Sequence, residues 1–286
     1  MITVSQRTIS SKISCSGIGL HSGINTALTL SPAPVDTGVV FRRSDVLGLT
    51  AVIEANYKNV TETTLGTTIS NPYGTKVSTI EHLMAAIWGC GIDNIFVDIN
   101  GPEVPIMDGS SEPFVFLIEC AGIHIQDKAR RVIEIMEKIS VTDNDKIISV
   151  EPSREFVVDL HIDFSHQQIK QQKFDYHSTY ASFKNDLSRA RTFGFKHEIE
   201  KLHQMGLAKG GSLDNAIVVD DNGVVNREGL RYSDEFVRHK TLDFIGDTYL
   251  AGHYIIGHFS ASKAGHAINN KMLHQIFSKQ SAWRII

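Results

Sequence analysis

Short runs of alternating apolar and polar residues dominate this chain, and few stretches carry the period of a helix. Ala27-Leu28-Thr29-Leu30 alternates as a half-buried strand does; Ser31-Pro32-Ala33-Pro34 ends the run, and Gly38-Val39-Val40-Phe41-Arg42 resumes it. A Thr-rich segment from Val60 to Ser70 leads into the turn Asn71-Pro72-Tyr73-Gly74, which predicts a small hairpin insert. Glu81 to Trp88 then reads as a helix stopped at Gly89-Cys90-Gly91, Asn94 to Asn100 as a strand, and about Pro113 to Ala121 as a second helix. The charged stretch Gln126-Asp127-Lys128-Ala129-Arg130-Arg131 is the best domain boundary. Strands are predicted beyond it at Val132 to Ile139, Lys146 to Val150 and Phe156 to Phe164. A helix over about Lys196 to Met205, a strand at Ala216 to Asp220 and a tight Asp221-Asn222-Gly223 turn follow. The last elements are a helix at about Asp234 to Tyr249, a strand at Tyr254 to Ser260 and a helix at Ala267 to Ser278.

Both halves share one outline: strands, a helix with a histidine near its start, a glycine, a strand, a polar loop and another helix. That outline implies an α+β fold of two similar domains, residues 1–127 and 128–286. His82 and His239 would then face each other across an interdomain cleft, a frequent location for active sites.

Composition narrows the class. With 286 residues and 42% hydrophobic content the chain can bury one large core or two medium ones, and length favours two domains. A net charge of −4 calls for neither nucleic acid nor an anionic membrane surface. Cys15, Cys90 and Cys120 are an odd set without CxxC spacing and read as reduced thiols in a cytoplasmic protein. No secretory signal is visible, and the longest apolar run, around Leu83 to Ile92, is too short to span a bilayer. The expectation is a cytoplasmic monomer without stable membrane insertion.

The chemistry concentrates in two segments more than 150 residues apart. Ser78-Thr79-Ile80-Glu81-His82-Leu83 sets a Glu directly before a His, and Arg238-His239-Lys240-Thr241-Leu242-Asp243 sets His and Asp at i, i+4 on one helix face. His82, His239 and Asp243 together would offer a divalent metal three ligands and leave a coordination position open, as catalytic zinc sites do. Such a set suits non-haem Fe(II) as well. An isolated HxxxD pair is more often a solvated helix face, and Glu81 beside His82 is what improves the metal reading, because it supplies a base next to the ion. Near the C-terminus, Lys263 and His266 stand in a small-residue loop before a helix, a setting in which backbone N–H groups and a lysine can approach a phosphate. Asp247, one turn after Asp243, could hold His266 protonated. The competing reading makes His266 a capping histidine and Asp247 a solvated carboxylate. Thr192 offers a hydroxyl beside Phe193 and Phe195, rings that would wall a lipid or sugar unless they are simply core.

Several long motifs appear in order: Gly17-Ile18-Gly19-Leu20-His21-Ser22-Gly23, Ser78 to Leu83, Gly91-Ile92-Asp93-Asn94 and Pro105-Ile106-Met107-Asp108-Gly109-Ser110. Ala190-Arg191-Thr192-Phe193-Gly194, Asp234 to Asp243 with Ile245-Gly246-Asp247, and Lys263-Ala264-Gly265-His266-Ala267-Ile268-Asn269-Asn270 continue the series. On these motifs the chain resembles, over essentially its full length, the UDP-3-O-acyl-N-acetylglucosamine deacetylases of lipid A biosynthesis in Gram-negative bacteria. The resemblance implies two two-layer domains around a helical interior, with a small β insert at about residues 57–79 and a βαβ insert at about 195–226. It implies Zn²⁺-dependent hydrolysis of the N-acetyl amide of an acylated UDP-glucosamine, releasing acetate. The zinc ligands would be His82, His239 and Asp243, and the general base Glu81. His266 would stabilise the oxyanion and protonate the amine with Asp247 as partner, and Lys240 and Thr192 would flank the scissile carbonyl. Lys263 would meet the diphosphate, Asp163 and Phe164 the uridine, and Phe193 the substrate beside the carbonyl. The acyl passage would run past Ile199, Ala208, Gly211, Ser212 and Val218, and Leu20 would be a further substrate contact. Two departures stand out: Gly66 where relatives often carry Cys, and Gln167 where they usually carry Pro. An Fe(II) oxygenase would leave Glu81 and His266 without a task, and a non-catalytic nucleotide-sugar binding protein would bind UDP-sugar without releasing acetate.

Overall fold

Where the sequence alternates, the backbone extends. In the strand Asn25–Pro32, Thr26, Leu28 and Leu30 are buried while Asn25 and Ala27 face solvent. The computed structural model describes residues 4–166, 169–179 and 182–286, and over these it is an α+β fold with five sheets and five α-helices. The helices are α1 (Glu81–Gly89), α2 (Glu112–Ala121), α3 (Ile199–Gln204), α4 (Glu235–Thr248) and α5 (His266–Ser278).

The first half is built on a five-stranded sheet whose strand Ile95–Ile99 runs antiparallel to Asn25–Pro32 and parallel to Val39–Arg43. The second is built around Tyr254–Ser262, parallel to Val132–Ile135 and Phe156–Asp163 and antiparallel to Lys146–Glu151. Two small sheets are added. Val60–Glu62, Thr68–Ser70 and Lys76–Val77 form the insert foreseen around Asn71. In the other, Phe193–Phe195 pairs in parallel with Ile217–Asp220 across a crossover that carries α3, a βαβ unit.

Helices α1 and α4 pack against each other, and α4 also lies against the strands Phe156–Asp163 and Gln171–His177. Every residue of α1 is buried, as befits a helix that is apolar on all sides, and its first two residues are the exceptions in kind: Glu81 and His82. Helix α4 buries all its residues except Arg238 and Lys240, among them Glu235, His239, Thr241, Asp243, Asp247 and Thr248. Polar side chains in that number are rarely interior unless they are paired or hold a ligand. A Cβ at Gly246 would lie 2.1 Å from the Glu81 carbonyl oxygen, so only glycine lets α1 and α4 approach this closely.

Some predicted elements differ. The charged stretch read as a boundary is partly a strand: Ile123–Ala129 pairs with Ser5–Ile9, and Gln126 is buried there because its amide bonds Ala33 and Asn94. The run predicted from Val132 to Ile139 is two strands, Val132–Ile135 and Ile139–Asp143. Gln171–His177 and Trp283–Ile285 are strands with no counterpart among the predicted elements. The helix expected from Lys196 begins as a 3-10 turn and is α-helical only over Ile199–Gln204. Gln167 lies outside the described residues. Among the described residues no helix is long and apolar enough to cross a membrane.

Candidate active site

Helix α4 sets His239, Asp243 and Asp247 one turn apart on a single face, and α1 crosses that face with its N-terminus. The crossing places His82 Nε2 3.4 Å and His239 Nε2 3.3 Å from Asp243 Oδ1, with the two imidazole planes at 82°. One ligand atom from each of the three lies within 4.8 Å of the others. His239 Nδ1 stands 3.0 Å from the Ala190 carbonyl oxygen, which fixes that nitrogen as the N–H and leaves the Nε2 lone pair aimed at Asp243. Burial pushes His239 down to about 3, so the ring is neutral. Asp243 is penalised by burial too, but the charge of the Lys240 ammonium helps hold its carboxyl well below the usual range.

Asp243 Oδ1 is buried and accepts no hydrogen bond. A buried carboxylate oxygen that accepts no hydrogen bond and faces two imidazole nitrogens is an energetic liability unless a cation sits there. Tetrahedral zinc with bonds of about 2.0–2.1 Å puts its ligands about 3.3 Å apart. The 3.3 and 3.4 Å separations of the two imidazoles from Asp243 match that edge length, while the set as a whole lies within 4.8 Å. The residues present therefore fit a divalent metal.

The other catalytic candidates gather around this group. Glu81 is 3% exposed, and burial pushes its carboxyl up against the pull of His266 and His82. His266, the first residue of α5, has Nδ1 2.8 Å from Asp247 Oδ2. Burial works against charge on that ring, but the Asp247 carboxylate overrides it and pushes His266 up to about 9. The solvated reading of Asp247 fails, since it is 2% exposed, and the capping reading of His266 fails because Gly265 is the cap residue of α5 and the ring is bonded to Asp247. Lys240 Nζ donates to Asp243 Oδ2 at 2.9 Å and stands 5.8 Å from the Phe193 ring centre. Phe193 lies against Phe236 and Phe164, and 6.3 Å from the His239 ring, so it walls the site rather than filling a distant core. Thr192 is tied at its backbone to Gly109 and Ile217 on the same segment.

The outer candidates divide. Lys263 donates to Asp145 at 2.9 Å and lies 3.2 Å from Asp163, bringing two sequence candidates together with an acid the sequence did not single out. Phe164 follows directly. Leu20 and Gly211 meet, because the Gly210 N–H donates to the Leu20 carbonyl and a Cβ at Gly211 would lie 3.6 Å from Leu20 Cδ1. Ser212 accepts from the Asp214 N–H and sits at the surface, whereas Ile199 on α3 and Val218 on the βαβ sheet are half-buried. A Cβ at Gly66 would stand 3.1 Å from Glu81 Oε1, so a side chain at that position faces the carboxylate.

Sequence reasoning missed three groups. Thr67 donates to both Glu81 and Asp247, and Asn269 donates to Asp247 Oδ2 at 2.8 Å. Glu103, 1% exposed, accepts from the His21 and Ser22 N–H groups and from the Thr79 hydroxyl. Thr79 is left-handed at φ 56°, a costly conformation for a β-branched residue, and Glu103 holds it there just ahead of Glu81 and His82. Asn269 lay inside a recognised motif and was the one with a signal to follow.

The chain matches a family model described as LpxC: UDP-3-O-acyl N-acetylglycosamine deacetylase over residues 6–278. It is 51% identical to the UDP-3-O-acyl-N-acetylglucosamine deacetylase of Acidithiobacillus ferrooxidans, over 99% of this chain and 93% of that protein. To the protein of the same name in Hahella chejuensis it is 50% identical, over 99% of this chain and 94% of the other. A match that spans both chains nearly end to end settles the kinship: this chain belongs to the LpxC family of UDP-3-O-acyl N-acetylglycosamine deacetylases.

Proposed function

We propose that this protein is a zinc-dependent deacetylase that hydrolyses the N-acetyl amide of UDP-3-O-acyl-N-acetylglucosamine. The observation that carries the reading is the orphaned Asp243 Oδ1 facing His82 and His239, with a base and a cationic histidine beside it. His82, His239 and Asp243 would hold the ion, which would polarise the amide carbonyl and acidify water. Fe²⁺ fits the same donors.

The remaining steps belong to the side chains. Glu81 takes a proton as water attacks the carbonyl carbon; its raised proton affinity suits a base that works near neutral pH. His266, cationic below about 9, and Thr192 face the developing oxyanion. The C–N bond breaks as His266 gives its proton to the leaving amine, and acetate departs. Asp247 keeps that proton on His266 until it is needed. Lys240, tethered to Asp243, lies beside the carbonyl.

Farther out, Lys263 would exchange Asp145 and Asp163 for the substrate diphosphate, with Phe164 and Asp163 beside the uridine. Ile199, Ala208, Gly211, Ser212 and Val218 would line the acyl passage, and Leu20 and Phe193 would also meet the substrate. The same reading takes residues 1–127 and 128–286 as two domains, supported by the change of sheet between Ala129 and Val132.

Acetate release from acylated UDP-GlcNAc by purified protein tests the proposal. Activity should disappear with a chelator and return with added zinc. A chelated protein as active as the metallated one would refute it.

A further inference from the structure

Thr67 belongs to the small insert of the first half, outside both helices that carry the candidate ligands, and it is 2% exposed. Its backbone N–H donates to Glu81 Oε2 at 2.9 Å, and its hydroxyl donates to Asp247 Oδ1 at 2.6 Å. Its carbonyl accepts from the Ile80 N–H, so the residue is tied to the start of α1 in both directions. Asp247 Oδ2 meets His266 Nδ1 and the Asn269 amide, each at 2.8 Å. Thr67 thus supplies the donor to Asp247 Oδ1 among the described residues and joins a carboxylate on α1 to a carboxylate on α4.

We propose that Thr67 is a positioning residue, fixing the Asp247–His266 pair relative to Glu81 before substrate arrives; the inference rests on the deacetylase reading above. The physical reason is accounting of acceptors. Without the hydroxyl, Asp247 Oδ1 is a buried charged oxygen with nothing to accept, and the carboxylate must rotate to find a donor. Rotation would carry the imidazole of His266 with it, and proton transfer is intolerant of such displacement. The small insert would on this view align the acid and base as well as border the site. Val differs from Thr in replacing the hydroxyl with a methyl of similar size, and it leaves the backbone bond to Glu81 intact.

The test compares Thr67→Val and Thr67→Ser as metal-loaded full-length proteins. Thr67→Val should lower kcat by about tenfold or more with KM and bound zinc unchanged, and Thr67→Ser should stay within about twofold of the parent. In the same ¹⁵N-labelled samples, the hydrogen-bonded Nδ1 proton of His266 should shift in the Val variant and hold its place in the Ser variant. Should Val prove too tight to fold, Thr67→Ala replaces it with the same expectations. A Val variant with parental kcat, a Ser variant as slow as the Val variant, or a His266 proton unmoved by loss of the hydroxyl would each overturn the proposal. A parent protein that releases no acetate, yet shows the His266 shift in Thr67→Val, would sink the deacetylase reading while supporting the alignment by Thr67.

Discussion

Asp243 and Lys263 each face a charged partner at hydrogen-bonding distance, yet the Asp243 side chain is 5% exposed and that of Lys263 31%. Around Asp243 most buried polar groups are matched by other interior groups, and the unmatched atoms among the described residues of this cluster are Asp243 Oδ1, which faces two imidazoles, and Asn269 Oδ1. Lys263 binds two carboxylates that water could replace at little cost, since exposed pairs of this kind contribute little. The interior cluster is committed to one arrangement, while the outer one can trade partners. A site that must align protons needs the first, and one that must admit and release a nucleotide needs the second.

Deleting from the interior should have the largest consequences. Asp243→Ala should lose bound zinc and activity together, whereas Glu81→Ala should lower turnover by about 10²–10⁴ with zinc content nearly unchanged. Metal analysis beside acetate release separates the two, and loss of zinc from the Glu81 variant would make Glu81 a ligand. Gly246→Ala attacks the same interior through its packing: the new Cβ meets the Glu81 carbonyl at 2.1 Å. Overpacking of that kind costs about 1–3 kcal/mol, to be read as a lowered denaturant midpoint.

Asp247→Asn sharpens the electrostatic side. With Asp247 in place His266 titrates at about 9, so activity that needs the cationic ring should fall as pH rises through that value. Without the carboxylate, burial alone acts on the ring, and the descending limb of kcat should move to lower pH. Stability follows the same sign: the ring's folded-state value exceeds the ordinary 6.5, so its contribution is complete below about 6.5 and is lost as pH rises through about 9. The smallest effect belongs to the outer cluster. Lys263→Ala should raise KM severalfold with kcat nearly unchanged, as loss of a uniform binding contact does. An equal fall in kcat would show that Lys263 acts in the interior arrangement after all.

The candidate metal ligands were legible in sequence because their geometry is local. A helix dictates that positions 239, 243 and 247 share a face, and the Glu81-His82 pair sits at a helix start that the glycines after Trp88 made visible. The order of motifs supplied the rest. Thr67 and Glu103 were illegible for the opposite reason: their partners lie 14 to 180 residues away in the case of Thr67, and a lone Thr or Glu carries no period. The strand Gln171–His177 escaped because only Phe174 and Tyr176 interrupt its polar run, too weak an alternation beside the stronger one at Phe156–Asp163. In the stretch 126–129, read from its charges as a domain boundary, the charged residues decorate the exposed positions of a two-stranded ribbon, a pairing that composition alone does not reveal.

X-ray absorption at the zinc edge of the metal-loaded protein tests most directly whether three side chains from opposite halves of the chain share one ion. The account expects one zinc per chain, bonded only to nitrogen and oxygen at about 2.0–2.1 Å with the scattering of two imidazoles. A sulfur shell near 2.3 Å, or zinc bound with no imidazole, would contradict it.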